Sequence, residues 1–366
     1  MIKKTINTAI AILICCTAEP ALAQSQVAIY GIVDSGLVHT NNTNADGDSQ
    51  TKVPGLTGSV PSRIGFRGSE DLGGGLQAVF VLEGGINVDT GSSSQGSRLF
   101  GRQAYVGLKT GFGTLTVGRQ HNMTFYSMLK TDVMGPNIFS ISSIDLYIPN
   151  ARSDNAIGYM GTFGNLTAGA TYSFGRDASA AGGPAGTNCG GEVSGNSKAC
   201  RQMTALLGYD NKTFSVIASY DQMQGNVGAA AGLTTSDSRD RRATLNGYAM
   251  AGATKFGAGV MVRRKSAAIP AFGIDSNLYY LGASHPLAPA LVLDIQVARH
   301  DVKNSVNDSS LAVARLSYSL SKSTALYSAL GYMRNKGLAA NALDAGGTVG
   351  PGMNQQGLST GVRHAF

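Results

Sequence analysis

Arg63, Arg67, Arg102, Arg263 and Arg315 occupy the polar positions of segments that alternate between apolar and polar residues, with Tyr30, Asp34, Gln77 and Glu83 in the same parity. A guanidinium stays ionised and tolerates partial desolvation better than an ammonium does. A ring of them with a few carboxylates makes a fixed transverse field that favours anions and disfavours apolar solutes. That is chemistry of passage rather than of bond making. Bond-making patterns are few. The string at 357–361, GLSTG, fits G-x-S-x-G, but a hydrolase nucleophile needs a strand-to-helix elbow, and here the alternation runs on to Phe366. The sequence holds no H-E-x-x-H and no Walker lysine, and its five histidines are scattered. The reading is of a non-enzyme, with no cofactor and no metal.

The elements that must carry these charges are strands. In 62–83, SRIGFRGSEDLGGGLQAVFVLE, Ile64 and Phe66 alternate with Arg63, Gly65 and Arg67. After the glycine triplet the pattern restarts with Leu76, Ala78, Phe80 and Leu82. Period two around a tight turn is a hairpin. One face is wholly apolar, the other carries arginine, glutamine and glutamate, and no helical segment nearby would cover the grease. Apolar outside and polar inside describes a membrane barrel. Short joints fall near 71–75, 110–113, 162–165, 210–212, 254–256, 286–289 and 321–323. Longer ones fall near 39–61, 89–97, 122–153, 176–201, 224–240, 266–275, 302–308 and 336–353. Seven short and eight long joints give sixteen antiparallel strands, an even number with short periplasmic turns and longer outer loops. A soluble β-sandwich also alternates, but with its polar face outside.

Composition agrees. Charged residues make up 14% of the 366, glycine occurs 49 times and tryptophan is absent, so Tyr and Phe must supply any interfacial girdles. Apart from the amino terminus, no stretch approaches the roughly 20 apolar residues of a spanning helix. Residues 1–23 place Lys3 and Lys4 before an apolar run and end on Ala21-Leu22-Ala23, the pattern of a cleaved export signal. The domain reading is therefore signal at 1–23 and barrel at 24–366. Removing Lys3, Lys4 and Glu19 takes the formal charge from +7 to +6. An exported protein meets no nucleic acid, so the basic excess points to anionic lipid or anionic solutes. Cys189 and Cys200 remain in a Gly/Ser/Asn-rich segment, where an oxidising compartment favours a disulfide over a metal site. Arg119 shares the outward face of Leu115 and Val117, where a charge on lipid costs roughly 2–4 kcal/mol at the midplane. A rim or protomer contact is expected instead, with a neighbour's Asp89 as one partner.

The opening VAIYGIVDSGL, the hairpin SRIGFRGSEDLGGGLQAVF, the pair FGRQAYVGLKTGFGTLTVGRQ, the stretch DNAIGYMGTFGNLTAGATYSFG and the ending GLSTGVRHAF resemble the general-diffusion porins of β-proteobacteria, the Neisseria, Bordetella and Burkholderia type. The resemblance implies a sixteen-stranded outer-membrane barrel, a homotrimer and a water-filled pore in each protomer for ions and small hydrophilic solutes. It makes 122–153 a third outer loop folded into the barrel, consistent with Met123, Phe125, Met134, Ile138, Phe139 and Ile144, which are too apolar for a loop in water. Asp132 and Asp145 would then form one side of a constriction opposite the arginines, giving a weakly anion-selective pore. The Pro-Glu-Phe-Gly motif that many relatives carry in this loop is absent. The resemblance further implies that the outward residues Val362, His364 and Phe366 are read by the barrel-assembly machinery during insertion among outer-membrane lipid and lipopolysaccharide. Alternatives are a substrate-specific channel and, more distantly, a barrel enzyme or adhesin.

Overall fold

The computed structural model describes residues 26–179 and 186–366, so the signal at 1–23 lies outside the described residues. Sixteen strands make the wall: β1 (Gln26–Thr40), β2 (Arg63–Gly73), β3 (Leu76–Asn87), β4 (Gln103–Thr110), β5 (Gly113–His121), β6 (Ala156–Phe163), β7 (Leu166–Ser173), β8 (Gln202–Asp210), β9 (Phe214–Gln224), β10 (Arg239–Ala251), β11 (Thr254–Ser266), β12 (Ile274–Ala288), β13 (Leu291–Val302), β14 (Ser309–Ser319), β15 (Thr324–Asn335) and β16 (Gln355–Ala365). Three short strands, Gln50–Lys52, Ser92–Ser93 and Arg152–Ser153, decorate the loops. Each wall strand pairs antiparallel with the next. The barrel closes through β1, which meets β2 from Gln26↔Ser69 to Ile32↔Arg63 and β16 from Ile32↔Ala365 to Thr40↔Gly357. Closure leaves no unpaired strand edge, the condition for a sheet to sit in hydrocarbon.

Alternation makes the outer surface. Val27, Ile29, Leu37, Val106, Leu115, Leu207, Leu245, Leu281 and Leu330 are all exposed on it. Phe112, Phe163, Phe214, Phe256 and Tyr318 ring the short-turn end, while Tyr220, Tyr279 and Tyr332 lie towards the long loops. These two bands take the place of tryptophan girdles. The first hairpin turns on Gly73, Gly74 and Gly75, all at positive φ, a conformation that other residues adopt only with strain. The turns expected at 254–256 and 286–289 lie instead at 252–253 and 289–290. The second moves because β12 and β13 shift register between Pro286 and Ala288.

The apolar core lies inside the barrel. Met134, Ile138, Phe139 and Ile141 of the third long loop, 122–155, pack on Met261, Leu278, Leu311, Val313 and Met333 of β11, β12, β14 and β15. Along this arc several inward positions are apolar, among charged ones such as Arg263, Asp294 and Arg315, against the general polar-inward rule, because the loop covers them.

Candidate functional site

The third loop leaves β5 through helix α1 (Met123–Met128), capped by Asn122, whose side chain accepts from the Thr124 amide at 3.1 Å. Met123 packs against Leu206 and Ile217, and Ser127 Oγ lies 3.2 Å from Thr244 Oγ1 and 3.0 Å from Ser219 Oγ. Beyond the helix the loop lies almost on the sheet, which its glycines permit. A Cβ on Gly257 would stand 2.0 Å from the carbonyl oxygen of Thr131, and one on Gly282 would stand 2.4 Å from Val133 Cγ2. The two glycines are cross-strand partners in β11 and β12.

Buried polar groups then fasten the loop. Asp221 accepts from Gln202 Nε2 at 2.8 Å, from Thr124 Oγ1 at 3.0 Å and from the Tyr147 hydroxyl. Asp145 receives Arg242 Nε at 2.9 Å, and the same guanidinium lies 4.2 Å from the centre of the Tyr147 ring. Burial opposes ionisation of Asp145, but Arg242 and Arg263 outweigh it and hold the carboxyl below the usual carboxylate range. Asp132 accepts from Gln296 Nε2 at 2.7 Å. Burial pushes its carboxyl up to about 6, against the hydrogen bonds of Gln296 and of the Gly135 and Met134 amides. Arg315 pairs with Asp294 at 2.8 Å and donates to the Met134 carbonyl at 3.2 Å.

Several expected pore-lining residues are thereby corrected. Asp132 and Arg315 are buried in the seam between loop and wall, where a lone charge is costly and each has found a partner, while Asp145 stays partly exposed beside Arg242. Asp34 is fully buried as well, accepting from the Ser59 and Val60 amides at 2.9 Å each and from the Tyr327 hydroxyl at 2.7 Å, and so fixes the first long loop, 41–62. Glu83 and Arg102 are buried against each other at 2.7 Å. Arg263 is not among the corrected residues: it pairs with Asp240 at 2.7 Å beside Arg242 and stays partly exposed.

The arc from β1 to β4 is different. Tyr30, Arg63, Arg67, Gln77 and Tyr105 all point inward and all stay partly exposed. Arg63 Nε is 3.5 Å from Glu83, the Tyr30 hydroxyl donates to Glu83 at 3.0 Å, and the Arg67 guanidinium lies 5.2 Å from the centre of the Tyr30 ring. Behind them stands Arg152, fully buried, donating to the Pro149 carbonyl at 2.9 Å. Burial, then repulsion from Arg102 and Arg119, pulls its guanidinium well below the usual arginine range. The sequence reading missed Arg152, which follows the loop rather than an alternating strand. It also missed Arg242 and Asp221; their parity with Thr244 and Ser219 would have marked both as inward.

The remaining candidates lie elsewhere. Cys189 and Cys200 are joined in a disulfide, packed with Ala229 and Leu233. Val362, His364 and Phe366 are exposed on the outer face of β16 and its end, with His364 Nδ1 2.9 Å from Thr324 Oγ1. Arg119 finds its partner within the chain: it pairs with Asp154 and donates to the Gly101 carbonyl at 2.7 Å. Asp89, its expected partner on a neighbour, sits against Gly55.

Known proteins share this architecture. The family model described as Gram-negative porin matches residues 8–338. Outer membrane porin protein 32 of Delftia acidovorans is 33% identical, covering 98% of this chain and 99% of that one. An outer membrane porin protein of Bordetella pertussis is 30% identical over 95% and 96% of the two chains. Among solved structures, an anion-selective porin from Comamonas acidovorans superposes with a TM-score of 0.76 at 28% identity, over 94% of this chain and all of that one.

Proposed function

This chain belongs to the Gram-negative porin family, and from that premise we propose that its outer-membrane channel, a general-diffusion pore, prefers anions. One observation carries the preference. The carboxylates on the loop-covered arc each have a polar partner, Asp145 with Arg242, Asp240 with Arg263, Asp294 with Arg315 and Asp132 with Gln296, whereas Arg63 and Arg67 on the open arc face water with Glu83 alone among nearby carboxylates, itself shared with Arg102. Small hydrophilic anions would pass down their gradients along this arginine face, with no covalent step and no energy source. The anion selectivity named for the Comamonas acidovorans relative supports the reading. The same proposal takes residues 1–23 as a cleaved export signal, the trimer as the assembled form, and Val362, His364 and Phe366 as the assembly signal. Binding to nucleic acid and catalysis have no part in it.

The test is the reversal potential of the purified protein in planar bilayers under a KCl gradient. A potential of the sign set by chloride is expected, and one of the sign set by potassium overturns the preference. A substrate-specific channel would show conductance that saturates as one solute is raised, while a diffusion pore passes solutes in proportion to concentration.

A further inference from the structure

A small recess opens into the lumen where helix α1 faces the inner side of β4 to β6. Its volume is about 190 Å³, and Tyr105, Thr114, Thr116, Met123, Tyr126 and Met160 line it. It lies between the level of Glu83, whose cross-strand partner is Gln103, and the short turn after Thr110. Glycines make the room. Gly118 is opposite Tyr105 and Gly107 is opposite Thr116, so two inward positions of this wall send no side chain into the lumen. An apolar cavity of about 150 Å³ takes up benzene, so the recess has space for one six-membered ring with a small substituent.

The walls suit an aromatic ring. Edge contacts to Phe125 and His121, with ring centres 5.7 and 6.2 Å away, fix the plane of Tyr126. The sulfurs of Met123 and Met160 meet over Gly169, where a Cβ would stand 2.6 Å from the first and 2.9 Å from the second. Aromatic rings pack favourably on other rings and on thioether sulfur. The polar groups narrow the choice further. Gln120, at the back, is already satisfied: it accepts from Thr116 Oγ1 at 2.6 Å and donates to the Gly118 and Ala156 carbonyls at 3.3 and 3.4 Å. The hydroxyls of Tyr105 and Tyr126 have no hydrogen-bond partner among the described residues, and both side chains are partly exposed. Lys109 is exposed, sits between Gln77 and Thr114 in one cross-strand row, and has no carboxylate within ion-pair distance among the described residues. Asp71, in the same row, lies two strands away and accepts from the Gly73 amide at 2.9 Å. Two phenol donors and one ammonium around a ring-sized recess match a solute with one negative charge and one π face.

We infer that this recess is a subsite for aromatic monocarboxylates of the size of benzoate, the ring lodged among Tyr105, Tyr126 and the two methionines and the carboxylate turned towards Lys109. The inference rests on the proposed anion preference and names the class of anion that the pore retains longest. Its test is block of the chloride current through single channels of the intact protein in planar bilayers, with benzoate, cyclohexanecarboxylate or benzamide added. Cyclohexanecarboxylate keeps the charge without the π face, and benzamide keeps the ring without the charge. Benzoate is expected to block at a concentration about tenfold below either, the scale of one or two aromatic contacts. Tyr126→Leu should remove the advantage of benzoate over cyclohexanecarboxylate and leave the reversal potential at its chloride sign. Lys109→Gln, which breaks no ion pair of the chain, should weaken block by benzoate about threefold and leave benzamide unaltered. Equal block by benzoate and cyclohexanecarboxylate in the parent, or an advantage that survives in Tyr126→Leu, overturns the subsite and leaves the anion preference standing. A reversal potential set by potassium overturns the preference, and the subsite with it. Should Tyr126→Leu yield no channels, Lys109→Gln decides alone: benzoate block equal to the parent's overturns the subsite.

Discussion

Two arcs of one barrel, built from the same alternating strands, do opposite things with their inward charges. From β10 to β14 each of the inward arginines is met by a partner: Arg242 by Asp145, Arg263 by Asp240, Arg315 by Asp294. From β1 to β4 Arg63 and Arg67 remain partly exposed. Strand parity is identical on the two sides. What differs is the third loop, which covers one arc and leaves Arg63 and Arg67 of the other partly exposed. A charge under the loop is a fastening, because desolvation makes an unpaired ion there costly. The same residue type in contact with water is a free field source, available to a passing solute.

The largest effect should come from breaking a fastening. Asp294→Ala leaves Arg315 buried without its carboxylate, a change worth about 3–5 kcal/mol. The loop is expected to detach, with faster trypsin cleavage after the exposed Lys130 and a larger single-channel conductance. Unchanged cleavage would show that the loop is held without this pair.

Next in size is the pH dependence of Asp132. Its carboxyl is raised to about 6 by burial, so the folded loop holds a proton that the detached loop releases above its ordinary value, about 4. Stability from this group is present at low pH and is lost as pH rises through about 6. A shift of roughly two units corresponds to about 3 kcal/mol at most. Amides of 131–137 should therefore exchange more slowly at about pH 5 than at about pH 7.5 after correction for intrinsic rates. Asp132→Asn should remove that difference; a variant that keeps it would locate the titration elsewhere.

Smaller again is the effect of a side chain in the loop's contact. Gly282→Val forces overpacking against Val133, about 1–3 kcal/mol, and should lower the thermal midpoint of the loop-bound form. The same substitution at an outward glycine such as Gly247, where the nearest atom to a Cβ is a backbone oxygen at 2.7 Å, tests strand strain without the loop and should leave conductance unaltered.

The least change in stability belongs to the open arc. Arg67→Gln should move stability by no more than about 0.5 kcal/mol, as exposed substitutions do, yet reduce the anion-to-cation permeability ratio measurably in the same KCl gradient. Arg315→Gln, by contrast, should destabilise strongly while shifting selectivity little. If the two variants shifted selectivity equally, the division into a fastening arc and a field arc would fail.

Much of this was legible in the residues. Period-two alternation from Val27 to Phe366 determined the strands, their number and which side chains face lipid, because a pleated strand sends successive side chains to opposite faces whatever surrounds it. The apolar character of Met134, Ile138 and Phe139 likewise required the third loop to be covered. Partners across the barrel were decided only by tertiary structure. Asp34 meets Tyr327, Arg315 meets the Met134 carbonyl and Asp221 meets Tyr147 over separations of 74 to 293 residues. Parity says that a charge points inward but not whether water or a loop awaits it, since that depends on where a chain segment with no repeating pattern comes to rest.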